Sequence, residues 1–209
     1  MHNPWEDIDL NDYEGHMSLD SVYQLQVLSQ IMKEQLYSYD VKNIMILGIA
    51  GGNGLEHIDK NRFKKVYGVD VNRQFLQESR ERYCHLEDVY ETICTDLLRG
   101  DLQLPTSELL IANLLVEYIG YECFQKVVKL VGPRYISCTI QINTGESFVS
   151  DSPYLHAFDN LKQVHHQMDE QNLKDSMEAI GYRLIQTLEY LLPNGKKFVQ
   201  LDFGSEDRI

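Results

Sequence analysis

Basic residues are scarce in this chain, with 19 Lys and Arg against 32 Asp and Glu, a net charge of −13. So acidic a protein repels a phosphate backbone unless its positive charge gathers into a stripe. The densest basic stretch, Lys60, Arg62, Lys64 and Lys65, precedes a strand-like run and reads as a solvated edge, opposite any cleft. Nucleic acid is therefore not an expected partner. Long apolar runs are also missing. None approaches the ~18–20 residues that cross a bilayer, and a membrane is not expected either. The acidic opening Met1-His2-Asn3-Pro4-Trp5-Glu6-Asp7 has no basic segment followed by an apolar one, so it does not read as a signal peptide. Cysteines are few: Cys84, Cys94, Cys123 and Cys138, with no Cys-x-x-Cys pair. That excludes the usual zinc spacings and gives no disulfide framework. Cys94 and Cys138 fall in apolar runs and read as buried free thiols in a reduced, cytoplasmic setting. The adjacent His165 and His166 point to different sides of any regular element, with no third ligand at a familiar spacing. No metal is expected.

What is present is an alternation of apolar patterns. Val22, Leu25, Leu28, Met32 and Leu36 recur at helical spacing between Ser18 and about Tyr39. Asn43 to Ile49 is a continuous apolar run ending in glycines, as a strand buried on both faces would be. Gly52 to Asn61 reads as a short helix, and Lys65 to Asp70 as a second strand. Asn72 to Tyr83 reads as a helix with Phe75 and Leu76 inward. Val89–Thr95, Glu108–Asn113 and Tyr135–Ile142 supply three more strands, with a helix Tyr118–Val131 before the last. This alternation predicts a parallel sheet covered on both faces. After an interrupted helix, Leu161 to Ile180, come two strand-like runs, Tyr182–Leu192 and Lys196–Phe203, separated by Pro193-Asn194-Gly195. Asn-Gly is a hairpin signal, and strands joined so closely must be antiparallel.

Chemistry concentrates at strand ends. Gly48-Ile49-Ala50-Gly51-Gly52-Asn53-Gly54 is a turn of small residues against which a ligand can lie, opening toward helical amides that favour anions. Asp70 closes the second strand, where a carboxylate can accept from both hydroxyls of a ribose; alternatively it caps the helix starting at Val71-Asn72. Asp96 follows the third strand, where it can accept from an adenine amine while Leu97 packs on the ring.

Together these features resemble the class I S-adenosylmethionine-dependent methyltransferases, over roughly Asn43 to Phe203. The resemblance implies a Rossmann-like α/β three-layer sandwich, with a seven-stranded, mostly parallel sheet ending in an antiparallel hairpin. It implies an N-terminal helical lid over residues 1–40 and one methyltransferase domain over residues 41–209. It places S-adenosylmethionine, and its product S-adenosylhomocysteine, against Ala50, Gly51, Gly52, Asn53, Gly54, Asp70, Val71, Asp96, Leu97 and Asn113. Two departures stand out: the family's first-motif acid and first glycine correspond here to Gly48 and Ala50. Glu117 and Tyr118, running off the fourth strand, are the candidate base and substrate wall, and either also suits a helix start. Tyr13 and His16 in the lid, and Tyr154 and His156 in a loop from Ser147 to His166, are candidates for covering the substrate. The implied function is methyl transfer to a small molecule. The alternatives are a catalytically silent protein that binds the same cofactor and an NAD-dependent oxidoreductase, which the hairpin disfavours. The sequence does not address the oligomeric state.

Overall fold

The structure, a computed structural model, describes residues 2–143 and 149–206. Its centre is a sheet of β1 (Asn43–Leu47), β2 (Lys65–Asp70), β3 (Tyr90–Cys94), β4 (Leu109–Asn113), β5 (Tyr135–Ile142), β6 (Tyr182–Leu191) and β7 (Lys197–Ser205). The strands lie in the order β3-β2-β1-β4-β5-β7-β6. The first five pair in parallel, and β7 runs antiparallel to both β5 and β6. This is the expected seven-stranded sheet with its terminal hairpin. Gly195, at φ +80, makes the hairpin turn, a conformation that glycine adopts without penalty.

Five helices, α1 (Leu10–Ser18), α2 (Gln24–Tyr37), α3 (Arg73–Arg82), α4 (Val116–Val131) and α5 (Glu170–Glu178), cover the sheet. Strand side chains alternate between faces. Met45, Leu47 and Leu110 pack against α4 and α5, while Ile44, Ile46 and Ile111 pack with Met32 and Leu36 of α2. Burial on both faces is why β1 is apolar without a break.

Four local expectations are corrected. Gly52 to Asn61 forms no α-helix, only a 3-10 turn at Leu55–His57. Gly52 and Gly54 hold φ of +90° and +96°, incompatible with helical backbone. The helix expected from Ser18 begins only at Gln24, since Tyr23 takes a left-handed φ of 56° just before it, and a separate helix, α1, precedes it. The span 161–180 divides into a 3-10 segment, Leu155–Gln163, and α5, which Asp169 caps. Cys94 is exposed, because β3 is an edge strand. Cys138 is buried as expected. Helix α4 begins at Val116 and breaks at Gly120 (φ 72°, ψ 164°), so its first turn is a separate piece carrying Glu117 and Tyr118.

Candidate functional site

The C-terminal ends of β1, β2 and β4 meet at one edge, the place where open α/β sheets bind ligands. The glycine turn is stitched to β2 there: the amides of Gly48 and Ile49 donate to Val69 O at 2.8 and 3.2 Å. Ala50 N donates to Asp70 Oδ2 at 2.9 Å and Asn72 N to Asp70 Oδ1 at 2.9 Å. Burial nevertheless pushes the Asp70 carboxyl up to about 6, against the lowering effect of those amides. Ala50 adopts φ +48°, left-handed backbone that is costly for a residue with a Cβ. It stands where the resemblance places a glycine.

Asp70 does not cap the helix. Asn72 does, its side chain accepting from Gln74 N and Phe75 N. Asn72 also donates to Trp5 O at 3.0 Å and Ile8 O at 3.2 Å, and so ties the N-terminal segment across the end of β2. The sequence reading missed Asn72, although an asparagine before an amphipathic helix is a cap signal.

The N-terminal segment lies on the glycine turn. A Cβ added to Gly51 would stand 2.5 Å from Glu14 Oε1 and 3.0 Å from both Leu10 methyls, and one on Gly48 would stand 3.2 Å from Leu115. Arg82 fastens this contact, donating to Glu14 Oε1 and Oε2 at 2.7 and 3.1 Å and to Gly51 O at 3.2 Å. Ile8, Leu10, Phe75 and Phe158 form a small core here, with Trp5, Tyr13 and Ala50 packed against it.

The other candidate residues have varied partners. Asn53 donates to Leu25 O on α2. Gly52 faces the ring of Tyr83 and Gly54 the side chain of Met32. Val71 is half-buried, and its carbonyl accepts from Cys94 Sγ. Asp96 accepts from Leu98 N at 3.0 Å. Leu97 belongs to the core under α4. The Asn113 amide exchanges two hydrogen bonds of 2.9 Å with Gln35 of α2. Tyr154 packs on Gly15. His156 is exposed and pairs with Asp159. Positions 147 and 148 of the candidate loop lie outside the described residues.

Between the N-terminal segment and the first turn of α4 is a cavity of about 60 Å³, lined among others by Trp5, Tyr13, His16, Glu117, Tyr118, Phe158 and His165. Glu117 is 3% exposed. Its Oε1 accepts from Gln141 N at 2.8 Å, while Oε2 is buried with no partner. Burial pushes its carboxyl up to about 7. Burial lowers His16 and His165 to about 4, helped by His166 and then Lys196 at His165 and by Lys196 at His16, which keeps both rings neutral. No group of three or more His, Cys, Asp and Glu able to hold a metal occurs among the described residues.

For an adenosyl cofactor the hydrogen-bond acceptors at this edge suit the nucleoside half: a carboxylate at the end of β2 and another after β3. The space does not suit it while residues 3–18 are docked. The cavity holds only a few waters, and Leu10, Glu14 and Leu115 stand against the turn.

No family model matches the chain, and no curated relative does. Solved structures do. An N-methyltransferase, NodS of Bradyrhizobium japonicum WM9 with S-adenosyl-L-homocysteine, is 13% identical at a TM-score of 0.66, covering 93% of this chain and 98% of its own. The magnesium protoporphyrin IX methyltransferase ChlM of Synechocystis PCC 6803, with bound SAH, is 10% identical at 0.64, covering 97% and 91%. The [4+2]-cyclase SpnF is 10% identical at 0.64, covering 86% and 80%. The chain has the Rossmann-like fold of the S-adenosylmethionine-dependent methyltransferases.

Proposed function

We propose that the protein is an S-adenosylmethionine-dependent methyltransferase acting on a small molecule, with residues 3–18 as a cap that must lift to admit the cofactor. The observation that carries this is Asp70 at the end of β2, hydrogen-bonded to the turn that follows β1, within a sheet of order β3-β2-β1-β4-β5-β7-β6. With the cap raised, Asp70 and Asp96 would hold the adenosine and the Gly48–Gly54 turn would bear the rest. S-adenosylmethionine would supply an electrophilic methyl group. The protein's own part is alignment and the exclusion of water. Calorimetry tests the reading: S-adenosylhomocysteine should bind and NAD should not, and tighter binding of NAD would overturn it.

A second reading, a protein of this fold that transfers no methyl group, is favoured by the filled cradle. Gly48 replaces the family's acid and Leu115 occupies the space above it. One structural neighbour is a [4+2]-cyclase, so the fold does not dictate the chemistry. Absence of S-adenosylhomocysteine binding, by the wild type and by a variant with a loosened cap, would favour this reading.

A further inference from the structure

We propose that the cavity beside Glu117 is a binding site for the head group of a protonated primary or secondary amine. Glu117 sits in the short first turn of α4 that Gly120 separates from the rest of the helix. One of its carboxylate oxygens is anchored to the backbone of β5, and the other is buried and unpartnered. A buried acceptor without a donor costs free energy, and a buried carboxylate costs more. A ligand that donates to that oxygen removes the penalty.

The walls point to a cation rather than a neutral donor. The Trp5 and Tyr118 rings meet edge to face with centroids 4.8 Å apart, Tyr13 stands 6.1 Å from Trp5, and His165 stands 5.7 Å from Tyr118. Aromatic faces attract a desolvated cation. His16 and His165 are neutral and add no repulsion, whereas Lys196, whose charge reaches both, disfavours a cation on the histidine side and leaves the Glu117 side to it. A quaternary ammonium would satisfy the rings but has no N–H for the open oxygen, so the class is an amine that keeps at least one proton. A volume of about 60 Å³ admits the head group alone. The site binds an amine whatever the protein's activity. The amine's role as methyl acceptor rests on the methyltransferase reading, with Glu117 placed to take the proton that the nitrogen must lose.

Trp5 is the sole tryptophan of the chain and lines this cavity, so its fluorescence reports occupancy directly. At pH 8.5, where the Glu117 carboxyl is ionised, propylamine should perturb Trp5 emission at concentrations about tenfold or more below propan-1-ol, its neutral isostere. Glu117→Gln should abolish that preference, and Tyr118→Leu should weaken propylamine binding without raising that of propan-1-ol. Equal binding of the two probes, or an amine preference that survives Glu117→Gln, overturns the proposal. A parallel titration compares S-adenosylmethionine with S-adenosylhomocysteine. A preference for the sulfonium that Glu117→Gln removes, with no preference for propylamine, assigns the carboxylate to the cofactor and also overturns it. Amine selectivity without binding of either adenosyl compound upholds the site and sinks the methyltransferase reading, so the two failures are separate.

Discussion

At the scale of single residues the site is governed by two carboxylates that burial has made weak acids. Asp70 is raised to about 6 and Glu117 to about 7. A group whose folded-state pKa is raised holds its proton more tightly in the folded chain. Its contribution to stability is complete below the unfolded value near 4 and is lost as pH rises through the folded one. For Glu117 that loss is on the order of 3 kcal/mol between about pH 4 and pH 7. The melting temperature of the wild type relative to Glu117→Gln should therefore fall between pH 5 and pH 8. A constant difference across that range would mean that Glu117 is not buried as an acid. Asp70 behaves differently on truncation, because its two oxygens hold the amides of Ala50 and Asn72. Asp70→Ala should destabilise the protein by about 1–3 kcal/mol through those orphaned donors, and should also weaken S-adenosylhomocysteine binding. Asp70→Asn keeps an acceptor and should recover stability more than affinity. Equal recovery of both in calorimetry and melting would leave Asp70 as a backbone staple and no more.

At the scale of elements, the N-terminal segment packs across the strand ends, and on the proposed reading it controls access to them. Leu10 and Glu14 of α1 rest on Gly51, and Arg82 of α3 clamps Glu14. The pair is partly exposed and contributes little to global stability, but it stands at the point where the cap leaves the turn. Arg82→Ala should raise S-adenosylhomocysteine affinity, or its association rate, severalfold with little change in melting temperature, because closing the cap is then less favoured. Unchanged affinity and rate, measured by stopped-flow Trp5 fluorescence, would place the opening elsewhere. The resemblance implied a lid over residues 1–40, but the contacts that hold this segment were not legible in the sequence. The segment makes its contacts with Gly51, Asn72 and Phe158, which lie far along the chain, so no local pattern reports them. The strands were legible, since Ile44 to Leu47 and Leu109 to Ala112 are buried on both faces and their composition says so. The missing helix after β1 was not. Gly52 and Gly54 suggested a ligand-binding turn, and the same glycines prevented the helix expected to follow it.

At the scale of the whole molecule, the hairpin was the most informative feature, because Asn194-Gly195 forces β6 and β7 antiparallel and thereby separates this sheet from a wholly parallel one. Glu117 was legible only as one of two equal possibilities, a base or a helix-start acid, because no sequence pattern reports that one oxygen lacks a donor. Net charge is the other global quantity, and it bears on partners. No helix among the described residues is long and apolar enough to cross a membrane. The four basic residues that could have formed a phosphate-binding stripe lie near the start of β2, while Asp70 ends it, so they stand at the opposite end of the strand from the cleft. They are also occupied in part. Lys60 donates to His85 O, Arg62 donates to Tyr39 O and stacks on Tyr37, and Lys65 pairs with Glu91. Arg73 starts α3, three residues after Asp70 ends β2. A polyanion approaching the strand ends meets Glu14, Asp70 and Asp96 in a molecule of charge −13, and counterion release offers it little gain. Neither duplex DNA nor RNA should shift in a gel at near-physiological salt, and labelled methyl groups should not pass from S-adenosylmethionine to bulk nucleic acid. Salt-dependent retention of either polymer, with a slope that Lys60→Ala or Lys64→Ala reduces, would reveal a basic surface that the net charge conceals and would move the substrate from a small molecule to a polyanion.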